Sequence, residues 1–322
     1  MLQPIKLNIK SLSAMAGGIV LVGLVVVYAL HGNALGRPEH IKPPSTLALK
    51  TKQCPRCFVV DHEVILDIPD LCVDRGVTLV IVIHVSADRF VSRETVRNTW
   101  LSEVRNKEKF QNVRYFFLLG NTDSESVRQD IQDESRLYKD IVQYNFDDTY
   151  RNLTIKTVLA MQWLHSRCPY SKFFFKTDDD VRVNVTNLLA VLQIHGDKLE
   201  RALGGVCRSV TVVRKTSSKW HATFEEFPKD VYDPYCSGTG YVGGIAVAKG
   251  VVNVYTQVPY FYLEDVFMGM CLKLIGYGTM YLQHFDNTRG PEIDECDAKL
   301  GGYVTIHKIT SQRMIDIYRR IC

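Results

Sequence analysis

The stretch from Phe173 to Asp180 reads FFFKTDDD and decides how the rest of the chain is interpreted. It begins as an apolar run of strand length and ends in consecutive carboxylates. Continuous hydrophobicity is typical of a strand buried on both faces, as in a largely parallel sheet covered by helices. Because ligands of open α/β sheets gather at the carboxyl ends of strands, we expect these carboxylates at a ligand site.

The three aspartates, Asp178, Asp179 and Asp180, predict a divalent cation. Neighbouring like charges repel unless a cation or a proton compensates them. The alternating positions Asp178 and Asp180 can present oxygens to one side, which leaves metal positions open for nucleotide phosphates, as in magnesium and manganese sites. The alternative is a solvated acidic turn. An EF-hand is excluded because its glycine and distal glutamate are missing.

Apolar runs alternate with amphipathic stretches on the amino-terminal side of this strand as well, and the alternation indicates the α/β class. The predicted strands cover residues 77–85, 115–119 and 173–177. The predicted helices cover residues 92–100, 124–138 and 154–165.

An uncharged apolar run covers Leu12–Leu30 and follows Lys6 and Lys10. At about 1.5 Å per residue such a helix is about 28 Å long, enough to cross a thin secretory membrane. The run exceeds the ~7–15 residues of a signal-peptide core and no small-residue cleavage site follows, so an uncleaved anchor is favoured over a cleaved signal peptide. The preceding lysines predict a cytosolic amino end and a lumenal remainder.

The predicted organisation therefore has four parts. A cytosolic tail covers residues 1–11, a transmembrane anchor 12–30, a polar and proline-bearing stem 31–74, and a lumenal domain 75–322. The 322 residues include 39 basic and 35 acidic side chains that are scattered along the chain, which excludes a clustered nucleic-acid-binding face. The sequence gives no indication of oligomeric state.

The lumenal prediction gives the cysteines and two sequons a meaning. Nine cysteines predict mainly disulfides, with one cysteine left over as a free thiol or for an intermolecular bridge. The pair Cys54 and Cys57 is interpreted as a stem disulfide, with zinc binding or redox chemistry as the alternative. Asn152 and Asn184 begin sequons that would be open to glycosylation in the lumen.

Two further stretches could carry chemistry. Glu264 and Asp265 precede an apolar, helix-like stretch that continues to Ile275, and one of the two acids could serve as a general base for a hydroxyl nucleophile. Their alternative role is only to stabilise a helix amino terminus. The stretch Tyr232–Tyr241, YDPYCSGTGY, is interpreted as an aromatic, glycine-rich turn that a sugar could approach closely, or as an ordinary turn.

Taken in order, seven blocks resemble the beta-1,3-galactosyltransferase and beta-1,3-N-acetylglucosaminyltransferase family, whose members are inverting enzymes of the GT-A fold. The blocks are Arg93–Trp100, Tyr115–Gly120, Asp148–Thr157, Lys176–Asp180, Tyr235–Tyr241, Glu264–Val266 and Val304–His307. The resemblance implies a Rossmann-type central mixed sheet flanked by helices. It departs from the family at Leu101, where glycine is usual, and at residues 242–244 after Tyr241.

The resemblance also implies a reaction and its residues. The enzyme would be a metal-dependent hexosyltransferase of the Golgi membrane, with single-pass type II topology, that moves galactose from UDP-galactose in beta-1,3 linkage onto a glycan of a glycoprotein or glycolipid. Asp265 would be the base, and Asp178, Asp180 and His307 would hold Mn²⁺ or Mg²⁺. The donor would contact Arg93, Arg97, Lys156, Asp178 and Asp179; the acceptor would contact Tyr235, Gly238, Thr239, Gly240 and Glu264.

Glu264 before Asp265 resembles the galactosyl-transferring members, so galactose is favoured as the donor sugar. Transfer of N-acetylglucosamine or N-acetylgalactosamine is the alternative within the family. A non-catalytic lumenal binding or folding protein of the same fold, or an oxidoreductase that uses Cys54 and Cys57, are alternatives from other classes.

Overall fold

The apolar run at Leu79–His84 forms the central strand of the fold and has a parallel neighbour on each side. The computed structural model describes Cys54 and residues 56–322. In the central strand every residue is buried, as expected of a strand covered on both faces. Its neighbours are Val113–Asn121 and Phe173–Asp178, so the carboxyl ends of three parallel strands lie at one edge.

The described residues form two sheets. The strands are β1 Val64–Leu66, β2 Leu79–His84, β3 Val113–Asn121, β4 Ile141–Asp147, β5 Phe173–Asp178, β6 Arg182–Val183, β7 Ala202–Arg208, β8 Tyr235–Gly244, β9 Gly278–Tyr281, β10 Phe285–Asp286 and β11 Thr305–Ile306. The larger sheet has the order β1-β4-β3-β2-β5-β8-β7-β9 and the smaller β10-β11-β6. Strands β4, β3, β2 and β5 are parallel, whereas β1 and β8 are antiparallel to their neighbours, so the sheet is mixed.

Helices cover both faces of the larger sheet. They are α1 Phe90–Asn98, α2 Trp100–Asn106, α3 Glu125–Tyr138, α4 Leu153–Arg167, α5 Val185–Leu199, α6 Ile245–Val254, α7 Glu264–Ile275, α8 Glu295–Leu300 and α9 Ser311–Arg319. Alternate residues of a strand point to opposite faces. Accordingly Val80 and Val82 lie in a core with α4, α6 and α7, whereas Ile81 lies in a second core with α1, α5 and α9.

The prediction of a helix-flanked, mixed α/β sheet is confirmed, and the predicted helices and strands are present with shifted ends. The turn predicted at Tyr232–Tyr241 is wrong from Tyr235 onward, because Tyr235–Tyr241 lies within strand β8. Its glycines are needed for close packing rather than for a turn: a Cβ on Gly240 would lie 3.3 Å from a Phe175 ring atom of the neighbouring strand.

The cysteine prediction is confirmed. The disulfides are Cys54–Cys57, Cys72–Cys168, Cys207–Cys236 and Cys296–Cys322, and Cys271 is a free, buried thiol. The Cys72–Cys168 bridge joins the segment between β1 and β2 to the residue that follows α4.

The predicted stem, residues 31–74, extends too far along the chain, because its last part is packed against the sheet. Strand β1 pairs with β4, Val60 is buried in a core and Cys72 is bridged to Cys168. Packing against the sheet therefore starts before residue 75. The predicted tail and anchor and the stem up to residue 53 lie outside the described residues. Of the helices that the structure describes, none combines the length and hydropathy that a bilayer crossing requires.

Candidate active site

A cavity of about 470 Å³ opens at the carboxyl end of β5. Asp178 from β5, Gly238 from β8, Asp265 from α7 and His307 after β11 all contribute to its wall. These residues are far apart in sequence, and the antiparallel pairing of β8 with β5 and of β11 with β6 brings them together. Tyr150 and Leu153 of the block Asp148–Thr157 also line the cavity, which therefore unites five of the seven blocks that carry the resemblance.

Lys176 is the buried centre of this site. It is 2% exposed, and its Nζ donates to Asp178 Oδ1 at 2.7 Å, to Glu264 Oε1 at 3.2 Å and to the Gly238 carbonyl. Burial lowers the pKa of Lys176, but the two carboxylates outweigh burial and the pKa is raised overall. Lys176 is therefore a fixed positive charge that ties β5 to β8 and α7.

Both carboxylate oxygens of Glu264 are already bound by groups of the protein, so Glu264 is not available to bind the acceptor substrate. Its Oε2 accepts hydrogen bonds from Thr157 Oγ1 at 3.0 Å and from Tyr241 at 3.0 Å, and Lys176 takes Oε1. Glu264 is 5% exposed in the cavity wall, and its hydrogen bonds orient β8 against α7. A Cβ on Gly238 would lie 2.4 Å from Glu264 Oε1, so only glycine allows this approach.

Asp265 has the properties of a general base. Its Oδ2 accepts from the Gly238 N–H at 3.2 Å and its Oδ1 from the Val266 N–H at 2.9 Å, with no basic side chain bound to it in the described structure. Burial, and after it the Glu264 charge, raise the pKa of Asp265 to about 7 against these two hydrogen bonds. A carboxyl with a pKa near neutrality is matched to proton transfer at neutral pH.

Asp180 and His307 form the pair best placed to hold a cation. His307 lines the cavity, and its Nε2 lies 3.4 Å from Asp180 Oδ2. Burial lowers the pKa of His307, but hydrogen bonding to Asp180 and to the Asn287 carbonyl outweighs burial, so that the pKa is raised. The Asp180 pKa is lowered because its contact with His307 outweighs burial.

The predicted three-residue metal set is assembled only as this pair. Among the residues that the structure describes, no group of three His, Cys, Asp or Glu side chains is placed to hold a metal. Asp178 lines the same cavity but is bound to Lys176. A carboxylate and an imidazole fit a cation that also takes phosphate oxygens, since magnesium is usually held by one or two carboxylates plus substrate phosphates.

Asp179 lies beside the site and not in the cavity wall. It pairs with Arg89 Nε at 2.8 Å and is 9% exposed. Burial, opposed by the Arg89 charge, raises the pKa of Asp179 to about 6. The contact joins the end of β5 to the start of α1.

Arg93 and Arg97, predicted to contact the donor, lie outside the cavity wall in a closed network of charges. Arg93 donates to both Glu134 carboxylate oxygens at 2.7 to 3.1 Å, and Arg97 binds Glu134 at 2.6 Å and Asp140 at 2.8 and 2.9 Å. All four side chains are at most 5% exposed. Their hydrogen bonds connect α1 to α3 and to the residue before β4.

Lys156 is likewise satisfied within the protein. Its Nζ donates to Asp148 Oδ2 at 2.7 Å and to the Val85 carbonyl at 2.9 Å, and Asp148 also accepts from the Gly120 N–H at 3.0 Å. At 2% exposure Lys156 does not line the cavity. The second and third blocks of the resemblance therefore meet in a structural contact.

The predicted acceptor residues divide into two groups. Tyr235, Gly238 and Thr239 line the cavity together with Glu264 and Asp265. Gly240 does not line it, because its neighbours are Phe175 and Thr305 side chains. Thr239 contributes its carbonyl to Thr177 Oγ1 at 3.0 Å, so its backbone is fixed to β5.

The sequence reasoning missed the outer wall of the cavity. Additional lining residues are Tyr150, Leu153, Lys176, Arg208, Lys219, Trp220, Ser237, Tyr262, Leu263, Asn287, Thr288 and Lys308. Trp220 is 51% exposed, and Lys219 Nζ lies 5.0 Å from the centre of its ring and 5.6 Å from that of Tyr150. Tyr262 fixes this loop through hydrogen bonds to the Lys219 and His221 carbonyls. Lys176 alone had a signal, as a charge inside an apolar strand.

The two sequon asparagines both lie at helix starts. Asn152 donates from Nδ2 to the Asp147 carbonyl at 2.8 Å, and Thr154 of the same sequon is fully buried. Asn184 caps α5 by accepting from the Asn187 N–H at 3.1 Å, and Thr186 of its sequon is exposed.

Comparison with known proteins identifies relatives of one kind. Residues 91–280 match the family described as "Galactosyltransferase". Beta-1,3-galactosyltransferase 5 of Gorilla gorilla gorilla is 39% identical over 219 residues, which are 67% of this chain and 72% of that protein. The Mus musculus enzyme of the same name is 38% identical over 223 residues, 69% of this chain and 71% of that protein. Beta-1,3-galactosyltransferase 1 of Mus musculus is 30% identical over 257 residues, which are 80% of this chain and 77% of that protein.

A solved structure of the galactosyltransferase LgtC in complex with donor and acceptor sugar analogues is a remote neighbour. It is 13% identical with a TM-score of 0.43 and covers 76% of this chain and 97% of its own.

Proposed function

The chain belongs to the galactosyltransferase family and is a hexosyltransferase enzyme, and we propose that it moves galactose from UDP-galactose in beta-1,3 linkage onto a glycan acceptor with the help of a divalent cation. The observation that carries this proposal is the position of Asp265. It is a carboxylate with a pKa raised to about 7, and it lines the same cavity as His307, which in turn contacts Asp180.

The proposed reaction is a single displacement with inversion. An acceptor hydroxyl transfers its proton to Asp265 while its oxygen attacks the anomeric carbon of the donor sugar. The bond from that carbon to the diphosphate oxygen breaks, and its electron pair leaves with UDP. Asp265 is suited to this step because backbone N–H groups of Gly238 and Val266 fix its carboxylate.

Asp180 and His307 would hold Mn²⁺ or Mg²⁺, with Asp178 nearby. When bound, the cation would neutralise the diphosphate that leaves. Around it, Arg208, Lys219 and Lys308 are cavity residues whose charges can offset donor phosphate. We propose these three for the donor contacts, in place of Arg93, Arg97 and Lys156, whose charges are already paired.

The proposed cellular location and the proposed acceptor are based on the sequence and on the family. The apolar run Leu12–Leu30 with its preceding lysines supports a type II membrane protein of the Golgi. Glycans of glycoproteins or glycolipids are then the acceptors that a lumenal cavity would meet. The wall of Trp220, Tyr150 and Tyr262 supports an acceptor sugar, since sugar rings have apolar faces that pack on aromatic side chains.

The test is transfer by the full chain from separate UDP-sugars. We expect turnover with UDP-galactose and Mn²⁺, little with UDP-N-acetylglucosamine or UDP-N-acetylgalactosamine, and none after chelation. Asp180→Asn should raise the Mn²⁺ concentration needed for half-maximal rate, whereas Asp130→Asn on the exposed face of α3 should leave it unchanged. Full activity in chelator would refute the cation, and preference for another UDP-sugar would refute galactose.

A further inference from the structure

A second cavity of about 380 Å³ lies at the start of α5 and is called here the α5 cavity. It shares no lining residue with the active-site cavity. Its wall comes from the junction of α1 and α2, from β6 and the first turn of α5, and from α8 and α9. The volume falls in the range of about 300–1,000 Å³ that is typical of small-molecule sites.

Two donor atoms in the residues that line this cavity have no acceptor. Trp100 Nε1 and Arg182 Nη1 are buried without a hydrogen-bond partner in the described part of the chain. Trp100 is 6% exposed, so its N–H has little access to bulk solvent. Buried polar groups in native proteins are nearly always paired, and an unpaired donor next to a cavity indicates an acceptor that arrives from outside the chain.

The charge of Arg182 is also poorly compensated. Its Nη2 donates to the Lys299 carbonyl at 3.0 Å, and Glu103 is the acid that acts on it through space without forming an ion pair in the described structure. Burial lowers the pKa of Arg182 to about 10. By contrast, Arg93 and Arg97, which are 1% exposed, are bound to carboxylates, whereas Arg182 is half-buried and has no such partner in the described structure. A half-buried guanidinium of this kind favours an anion.

The amino terminus of α5 adds partial positive charge to the same wall. The helix has 15 residues, and Val185 and Thr186 of its first turn line the cavity. The first N–H groups of a helix have no intrahelical acceptor, and the helix dipole favours negative charge there. Asn184 caps only the Asn187 N–H.

The opposite side of the cavity is apolar. Met314 and Ile317 of α9 are buried in the second core and form part of the lining, and Leu300 at the end of α8 is 68% exposed. The cavity thus combines hydrogen-bond donors on one side with aliphatic surface on the other.

We propose that the α5 cavity is a second ligand site, which binds a small amphipathic anion. A carboxylate or sulfate group of the ligand is received by Arg182, the Trp100 Nε1–H and the first turn of α5. The apolar body of the ligand packs against Met314 and Ile317. The site is separate from sugar transfer and does not depend on the proposed donor or acceptor.

The chain contains three tryptophans, Trp100, Trp163 and Trp220, which makes a selective test possible. The full chain is labelled with ¹⁵N-indole tryptophan and titrated with 4-phenylbutyrate and, separately, with the uncharged 4-phenylbutanol. We expect phenylbutyrate to move the Trp100 indole signal and phenylbutanol to move it far less. The signals of Trp163, whose Nε1 is bound to Asp67, and of Trp220, which lines the active-site cavity, should stay in place.

Two variants change the charge of the site in opposite directions. Arg182→Gln should weaken phenylbutyrate binding by about tenfold to hundredfold, because it removes a charged hydrogen bond. Glu103→Gln should strengthen binding, because it removes the acid that opposes the ligand. Arg136→Gln, an exposed arginine of α3, is the control and should change nothing.

The proposal is overturned if phenylbutyrate leaves the Trp100 signal unmoved, or if phenylbutanol binds as well, which would make the cavity merely apolar. It is also overturned if Glu103→Gln has no effect or weakens binding, and this variant decides the matter should Arg182→Gln fail to fold. These outcomes can be measured even if the chain does not transfer galactose, because the experiment uses neither a sugar donor nor a sugar acceptor.

Discussion

Two buried clusters of charge lie against the same sheet and differ in the balance of positive and negative groups. In the closed cluster, Arg93 and Arg97 are matched by Glu134 and Asp140, and every charged group is bound to an opposite one. In the open cluster, Lys176 is the one buried cation against Asp178, Glu264 and Asp265.

The difference in charge balance distinguishes a cluster that stabilises the fold from a cluster that can bind a ligand. A neutral, fully hydrogen-bonded cluster has nothing to offer a ligand, and removal of one member leaves a buried charge unpaired. A cluster with excess carboxylate needs a proton or a cation, and the pKa of Asp265, raised to about 7, reports that need. Perturbed groups of this kind in a cavity are typical of functional sites.

The largest expected effect comes from the open cluster. Asp265→Asn keeps the size of the side chain and removes its capacity to accept a proton. We expect kcat to fall by about 10²–10⁴-fold, the usual contribution of a positioned acid or base. UDP affinity, measured by calorimetry with Mn²⁺, should remain close to that of the unchanged protein. A variant that retains full kcat would remove Asp265 from the mechanism.

The closed cluster should respond in the opposite way. Glu134→Gln leaves Arg93 and Arg97 with one carboxylate between them, and we expect the free energy of unfolding to fall by about 3–5 kcal/mol. The KM values of the folded fraction should not change. Urea denaturation followed by circular dichroism measures the first, and steady-state kinetics the second.

The control for that variant lies one residue away. Asp133 is exposed on α3 and pairs with Arg136 at 2.8 Å, and loss of such a surface pair costs about 0–1 kcal/mol. Asp133→Asn should therefore be close to neutral. If Glu134→Gln instead raised the donor KM without a loss of stability, the distinction between the two clusters would fail.

This contrast explains which parts of the site the sequence could predict. The FFFKTDDD stretch predicted a buried strand with carboxylates at its end, because residues adjacent in sequence share a strand end. Arg93 and Arg97 look equally functional in sequence, since no local pattern indicates that Glu134 and Asp140, about forty positions later, will bind them. Burial of partners is a tertiary property.

The outer wall could not be predicted for a related reason. Lys219 and Trp220 belong to residues 209–234, where the structure has no helix or strand beyond an isolated bridge between Thr211 and Val231. Without periodicity there is no signal for which side chains face the cavity. The β8 stretch was misread for the opposite reason, since its glycines suggested a turn although they serve close strand packing.

A third prediction concerns pH and again separates the clusters. The carboxyl of Asp265 must be ionised to accept a proton, and its pKa is raised to about 7 by burial and by Glu264. At saturating Mn²⁺, kcat/KM should therefore rise with pH through neutrality, with about a tenfold loss per pH unit on the acid side. A profile that is flat or falls across this range would contradict the assignment of the base.

The smallest expected effect concerns the outer wall of the cavity that contains the open cluster. Trp220 is half exposed and lines the cavity near Asp265, so Trp220→Ala removes a surface on which the acceptor sugar could pack. Aromatic contacts of this kind are worth about 0.5–1.5 kcal/mol, which corresponds to a rise of about two- to tenfold in acceptor KM. The donor KM should be unchanged, and Trp220→Phe should restore part of the loss.

Phe224 supplies the matched control for this last prediction. It belongs to the same irregular segment and is 62% exposed, yet it does not line the cavity. Phe224→Ala should leave both KM values unchanged. If both variants raised the acceptor KM equally, the effect would belong to the folding of the segment. If Trp220→Ala raised only the donor KM, the aromatic wall would contact the donor and not the acceptor. The excess negative charge of the open cluster would then act on the nucleotide only.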